Sequence, residues 1–271
     1  MILLVLALLA SFIPSLLLFF YLRGNRGNDQ DYRVNCRKCL IGGALCSFGV
    51  VLSSAAANLL SFFLGFESSS PIIKEAIHSF ILAALSEELM KMWQTNKAIN
   101  RDRARVSKLD VVSYAAIAGL GFGMLEDVVF MFSTSPGQII VRGITMNHAA
   151  FGMIMGLLLA KGLTSDNKVF SALALLAPTL IHGYYDFDLG LNDLGYEWGG
   201  YGALIVTVLV VIFMIYMIFF YVRKGRKNEE LTAPIFASES PEPEVPEDEF
   251  AVSNVSAIDV PEPKAPAHMR Q

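Results

Sequence analysis

Seven stretches of about twenty apolar residues constrain this chain more than any other feature in it. They fall near 2–22, 40–65, 72–93, 111–132, 138–160, 168–189 and 202–222. At ~1.5 Å rise per residue, a helix of that length crosses a hydrocarbon layer about 30 Å thick. Inside such a layer every backbone N–H and C=O has to be paired within the protein, which helices do by themselves. The expected fold class is therefore all-α, a polytopic membrane helix bundle of about seven transmembrane helices. Composition agrees, since 54% of the 271 residues are hydrophobic and only 17% are charged, with a mean hydropathy of +0.50. An ordinary soluble domain is less apolar than this. The first stretch lacks a basic leader and runs into "YLRGNR" instead of a small-residue cleavage site, so it reads as a retained anchor.

Basic residues give the expected orientation. Arg23, Arg26, Arg33, Arg37 and Lys38 follow the first stretch, Lys97 to Lys108 follow the third, Lys161 and Lys168 flank the fifth connection, and Arg223 to Lys227 follow the seventh. The alternating connections "FESSSP", "STSPGQ" and "LNDLGYEWGG" contain no lysine or arginine. Because basic loops stay cytoplasmic, the N-terminus is expected outside and the C-terminus inside. The chain divides into a membrane domain, 1–225, and an acidic, proline-rich tail, 226–271, which cannot bury a core and is expected to be disordered. From Glu229 onward ten acids face only Lys264 and Arg270, so the overall charge of −4 leaves about +4 on the membrane part. Cys36, Cys39 and Cys46 suggest no disulfide framework, and "CRKC" lacks the two further ligands a tetrahedral zinc site needs. No nucleic-acid partner is expected.

Ionisable residues inside apolar stretches cost several kcal/mol unless paired, hydrated or used. Six stand out: Glu87 and Glu88 in the third stretch, Glu126 in the fourth, His148 in the fifth, and His182 with Asp186 in the sixth. Helix positions four apart share a face, so Glu87 can pair with Lys91 while Glu88 points elsewhere, and Asp186 can orient His182. Depth places Glu126 roughly 22 Å and His182 about 21 Å from the inner ends of their helices. If the third helix stops at Trp93, Glu87 is only about 9 Å in; a helix continuing toward Asn100 places it deeper. Asp127 and Asp188 are expected to face water or a loop, and His78 to serve in packing. Several glycines, Gly119 and Gly121 among them, suit close helix approach.

Two carboxylates and two imidazoles at protected depth can hydrolyse a peptide bond. A glutamate takes a proton from water while a histidine assists or stabilises the oxyanion. The same set could instead hold zinc through His148, His182 and Glu126, with an open position for water. Serine chemistry is disfavoured, as there is no G-x-S-x-G and Ser86 has no base fixed beside it.

The blocks "EELMK" at 87–91, "FGMLE" at 122–126 and "HGYYD" at 182–186 resemble the EExxK, FxxxE and HxxxD motifs of the PrsW family of intramembrane proteases. "RGITMNHAAFG", with Arg142 and His148, is similar to a further histidine block. That family lies in a wider group with CAAX prenyl endopeptidases and bacteriocin-immunity membrane proteins. The resemblance covers about 70–190 and implies cleavage of a membrane-bound protein, with Glu87, Glu88 and His182 as the functional positions that carry over most directly. It also implies a prokaryotic cell membrane, and a stress-signalling role in which an anti-sigma factor is cut on its outer side. Because members of the wider group have been described as metal-dependent and as glutamate-dependent, zinc stays open at this point. Glu126 stands where CAAX endopeptidases would have a histidine, which argues against a prenyl-protein substrate. Two other classes compete: a proton- or ion-coupled transporter using the same groups as a relay, and a non-catalytic scaffold whose acidic tail recruits a cytoplasmic partner.

Overall fold

Helices account for all the regular elements that the computed structural model describes, and it describes residues 2–63, 69–165 and 167–237, with backbone alone over 51–63. Of the tail expected to be disordered over 226–271, residues 226–237 are ordered and belong to the same compact unit as the helices; residues 238–271, and the end of the second apolar stretch, lie outside the described residues. In order, the helices are α1 Ile2–Arg23, α2 Gln30–Phe63, α3 Pro71–Ile77, α4 Ser86–Arg101, α5 Lys108–Phe130, α6 Pro136–Thr145, α7 Asn147–Ser165, α8 Lys168–Asp193, α9 Tyr201–Tyr216, α10 Arg223–Gly225 and α11 Glu229–Thr232. A π-helical stretch, His78–Leu85, joins α3 to α4, and another, Met217–Val222, joins α9 to α10.

α5 is the centre of the bundle. Leu109 through Phe122 are buried without a break, which only a helix surrounded on all sides can do. Small residues make this possible. A Cβ at Gly119 would meet the His148 carbonyl, and one at Gly121 would meet the Leu40 carbonyl, so α5 packs directly between α7 and α2. Outside this core α7 packs on α8, α4 on α2, and α6 on α1. α1 and α9 turn Leu9, Leu17, Leu204 and Leu209 outward, as suits a lipid environment.

By length and apolarity, four helices among the described residues can cross a membrane: Ile2–Arg23, Lys108–Phe130, Pro136–Ser165 and Tyr201–Gly225. The expected third and sixth stretches hold the polar groups of the site, which lowers their hydropathy while the bundle, not lipid, surrounds those groups. Two boundaries bear on these expectations. The third stretch, expected near 72–93 with a helix continuing toward Asn100 as the alternative, runs on to Arg101. The expected fifth, 138–160, breaks at Met146, a left-handed residue with φ 46° between α6 and α7.

Three basic connections meet at one end. Arg26 pairs with Asp102 at 2.9 Å and Asp110 at 2.6 Å and also bonds the Arg105 carbonyl. Burial works against the charge on Arg26, but Asp110 and Asp102 outweigh it and hold the guanidinium above its ordinary pKa. Arg226 bonds Asn25 at 2.8 Å, and Lys108 pairs with Glu230 at 2.7 Å. The stretch after α11 then lies against the α4–α5 loop, through a bridge between Ser107 and Pro234 and a 2.8 Å bond from the Ile235 amide to the Val106 carbonyl.

Candidate active site

The π-helical stretch ends one residue before Ser86, and its wider turns set the rotation at which α4 presents Glu87 and Glu88. Ser86 spends its hydroxyl on the helix itself, donating to the Leu82 and Ala83 carbonyls. Because α4 runs to Arg101, Glu87 lies about 21 Å from the basic end, level with His182, which is the same distance from Lys168. Counted from Lys108 and Ser165, Glu126 and His148 lie deeper, at about 26–27 Å.

The four elements converge. Glu87 Oε2 is 3.8 Å from His148 Nδ1 and 3.8 Å from His182 Nε2. The far nitrogen of each ring is held by another carboxylate: His148 Nε2 is 2.5 Å from Glu126 Oε2, and His182 Nδ1 is 3.0 Å from Glu88 Oε1. Asp186 lies 3.2 Å from His182 Nε2, on the same side as Glu87. All six residues expected from the sequence therefore meet in one cluster. The rings of His148 and His182 stand edge to face at 5.3 Å, with Phe151 stacked on His182 at 5.0 Å.

Several local expectations are corrected. Glu88 does not point away from Glu87's partner. Lys91 bonds both, at 2.8 Å to Glu88 and 3.4 Å to Glu87, because positions three and four apart both reach one side chain. Asp127 does not face water but accepts from Arg142 Nε at 2.9 Å, while Arg142 Nη2 reaches Glu126 at 2.5 Å. Asp188 is buried and accepts from the Ala203 amide in the first turn of α9. His78 is exposed on the outer face of its π-helical stretch instead of packing inside. Lys91, which the sequence reading paired only with Glu87, and Arg142, which it noted only within the histidine block, are the further charged side chains that touch the cluster. Cys36, Cys39 and Cys46 are free, buried thiols, and Cys39 bonds the Tyr114 carbonyl.

The donor set fits a divalent cation. Glu87, His148 and His182 each offer an atom within 4.8 Å of the others. The 3.8 Å separations are close to the spacing of about 3.4 Å between ligand atoms around tetrahedral zinc. Among the described residues, five carboxylates, Glu87, Glu88, Glu126, Asp127 and Asp186, face two permanent cations, Lys91 and Arg142. That leaves three negative charges to offset in a buried site, and Glu88 Oε2 is buried with no hydrogen-bond partner. Both nitrogens of His182 face carboxylates, so each contact needs a proton, on the ring or on the carboxyl group, or a bound cation between them. Glu126, expected as a ligand alongside the two histidines, instead holds Arg142 and the far side of His148 through Oε2, and the carboxylate grouped with both rings is that of Glu87. A small cavity of about 50 Å³ opens beside the cluster, lined by Glu126, Arg142, Asn147, His148, His182 and Asp186 among others.

Comparison with known proteins places these residues in a described context. A family model described as "PrsW family intramembrane metalloprotease" matches residues 35–220, which include every residue of the cluster. The chain is 29% identical to Protease PrsW of Clostridioides difficile over 216 residues, 76% of this chain and 85% of that protein. It is 28% identical to Protease PrsW of Bacillus subtilis over 222 residues, 79% and 90% of the two chains. To Protease PrsW of Oceanobacillus iheyensis it is 30% identical over 158 residues, 56% of this chain and 68% of the other. No solved structure matches.

Proposed function

The chain belongs to the PrsW family of intramembrane metalloproteases and is a membrane-embedded peptidase of membrane-protein substrates, and we propose that Glu87, His148 and His182 hold the divalent cation it works with. The observation that carries this reading is the approach of Glu87 Oε2 to one nitrogen of each imidazole, with a carboxylate on the other nitrogen of both. Carboxylates on the far nitrogens fix ring orientation and raise ligand basicity. Zinc, which this donor set suits, supplies Lewis acidity and makes a water nucleophilic near neutral pH.

The remaining chemistry belongs to the chain. Asp186 lines the cavity and lies on the Glu87 side of His182, so it is placed to take the proton of the attacking water. Glu88 and Glu126 orient the two rings, and Arg142 anchors Glu126. A second reading, in which Glu87 itself is the base and no metal takes part, draws on His182: between its carboxylates this ring can act as an imidazolium.

Metal content and cleavage together separate the two. Purified protein should hold about one zinc per chain. Glu87→Gln, His148→Ala and His182→Ala should lose it, while Asp186→Asn should keep the zinc and cut about 10²–10⁴-fold more slowly. A metal-free protein that cuts at full rate would overturn the metal reading and leave Glu87 as the base.

For topology, we propose seven crossings with the N-terminus outside and the tail inside. The shared position of the 24–29, 102–108 and 226–230 connections supports this, since any two of them must then be separated by an even number of crossings. The cavity lies toward the opposite end, which supports cleavage near the outer face, as in regulatory processing of a membrane-bound anti-sigma factor. The acidic tail is proposed to recruit a cytoplasmic partner.

A further inference from the structure

We propose that Lys91 sets how tightly the site holds its cation, by aiming an internal ammonium at the same donors. The inference rests on the metal-dependent reading above. Lys91 is fully buried. Its Nζ lies 2.8 Å from Glu88 Oε1, 3.4 Å from Glu87 Oε2 and 2.9 Å from His148 Nδ1. An ammonium has three protons and no lone pair, so toward His148 it can only donate. Nδ1 therefore presents its lone pair, and the ring proton sits on Nε2, where it is donated to Glu126. This is the tautomer a metal-binding Nδ1 requires, and Lys91 selects it.

The same geometry makes Lys91 a competitor. Of the three atoms that would hold the ion, Glu87 Oε2 and His148 Nδ1 already have a Lys91 proton directed at them. A divalent cation and an ammonium cannot share those donors without strong repulsion at such short range. The ammonium also has somewhere else to rest. Its Nζ lies 4.4 Å from the centre of the Phe122 ring, and the ring face together with Glu88 can retain the charge when it leaves Nδ1. Cation binding therefore involves displacing Lys91 from two donors onto neighbours already in contact with it.

Two roles for this lysine predict opposite results. If Lys91 only builds the site, removing it lets Glu87 and Glu88 repel one another, and affinity for the metal falls. If it competes, removing its charge leaves a more negative cluster with vacant donors, and affinity rises. The test uses the full chain in detergent, with zinc as the probe and a chelator of known affinity as the competitor. Lys91→Met keeps most of the length of the side chain without the charge; Lys91→Gln is a second neutral variant that can still donate to Glu88. Folding is checked by thermal melting.

Either neutral variant should bind zinc about tenfold or more tightly than the unmodified protein, as loss of one nearby positive charge implies. Unchanged or weaker binding in a folded variant overturns the proposal while leaving the metal reading intact. Zinc bound by neither the unmodified protein nor the variants removes both. If both neutral variants fail to fold while Lys91→Arg folds, the lysine is structural and the proposal also falls.

Discussion

Glu88 and Glu126 do comparable work on opposite sides of the cluster, each holding the far nitrogen of an imidazole whose near nitrogen faces Glu87. Their replacement by glutamine keeps shape and some hydrogen bonding but removes the charge that orients the ring. We expect Glu126→Gln and Glu88→Gln each to weaken zinc binding about 10–100-fold, read by chelator competition, with the protein otherwise folded. The six acids and imidazoles were legible in the sequence because charge inside an apolar stretch is conspicuous. The pairing of His182 with Asp186 was also legible, because four residues along a helix is one face. Helical spacing says nothing about neighbours on other helices. It could not show that Glu88 would reach His182, 94 residues away, that Glu126 would be occupied by Arg142, or that Lys91 would touch His148.

Between elements, the site depends on how closely α5 and α7 approach. Gly119 lies against the carbonyl of His148 itself, so a methyl group there meets backbone, which cannot rotate aside. Gly119→Ala should cost about 1–3 kcal/mol of stability by overpacking, lower the melting temperature, and reduce zinc content by moving His148 away from Glu87. Equal zinc content and stability in that variant would show that the two helices can part without consequence. The role of glycine here was readable as a general tendency, yet the break at Met146 was not. "GITMNHA" contains no proline, its one turn-favouring residue at the break is Asn147, and a methionine rarely adopts the left-handed conformation found at Met146. The extension of α4 to Arg101 was open in the sequence as a continuation toward Asn100 and could not be decided there, because "QTNKAINR" is polar and the apolar stretch ends while the helix does not.

Across the whole molecule, hydropathy made the all-α class legible before any helix was placed, and alternation of charged connections gave a topology that can be measured. Cysteines introduced in place of Ser133 and Lys227 are both exposed, whereas the native thiols are buried. In intact cells an impermeant thiol reagent should label the Ser133→Cys protein and spare the Lys227→Cys protein; the reverse pattern would invert the orientation. The tie between Ile235 and Val106 has a further consequence for biosynthesis. The α4–α5 loop leaves the ribosome well before its C-terminal partner is translated, so the connection between the helices bearing Glu87 and Glu126, which Arg26 can already hold, lacks this second tie through most of synthesis. The brace therefore closes only when the chain following the last apolar helix has emerged.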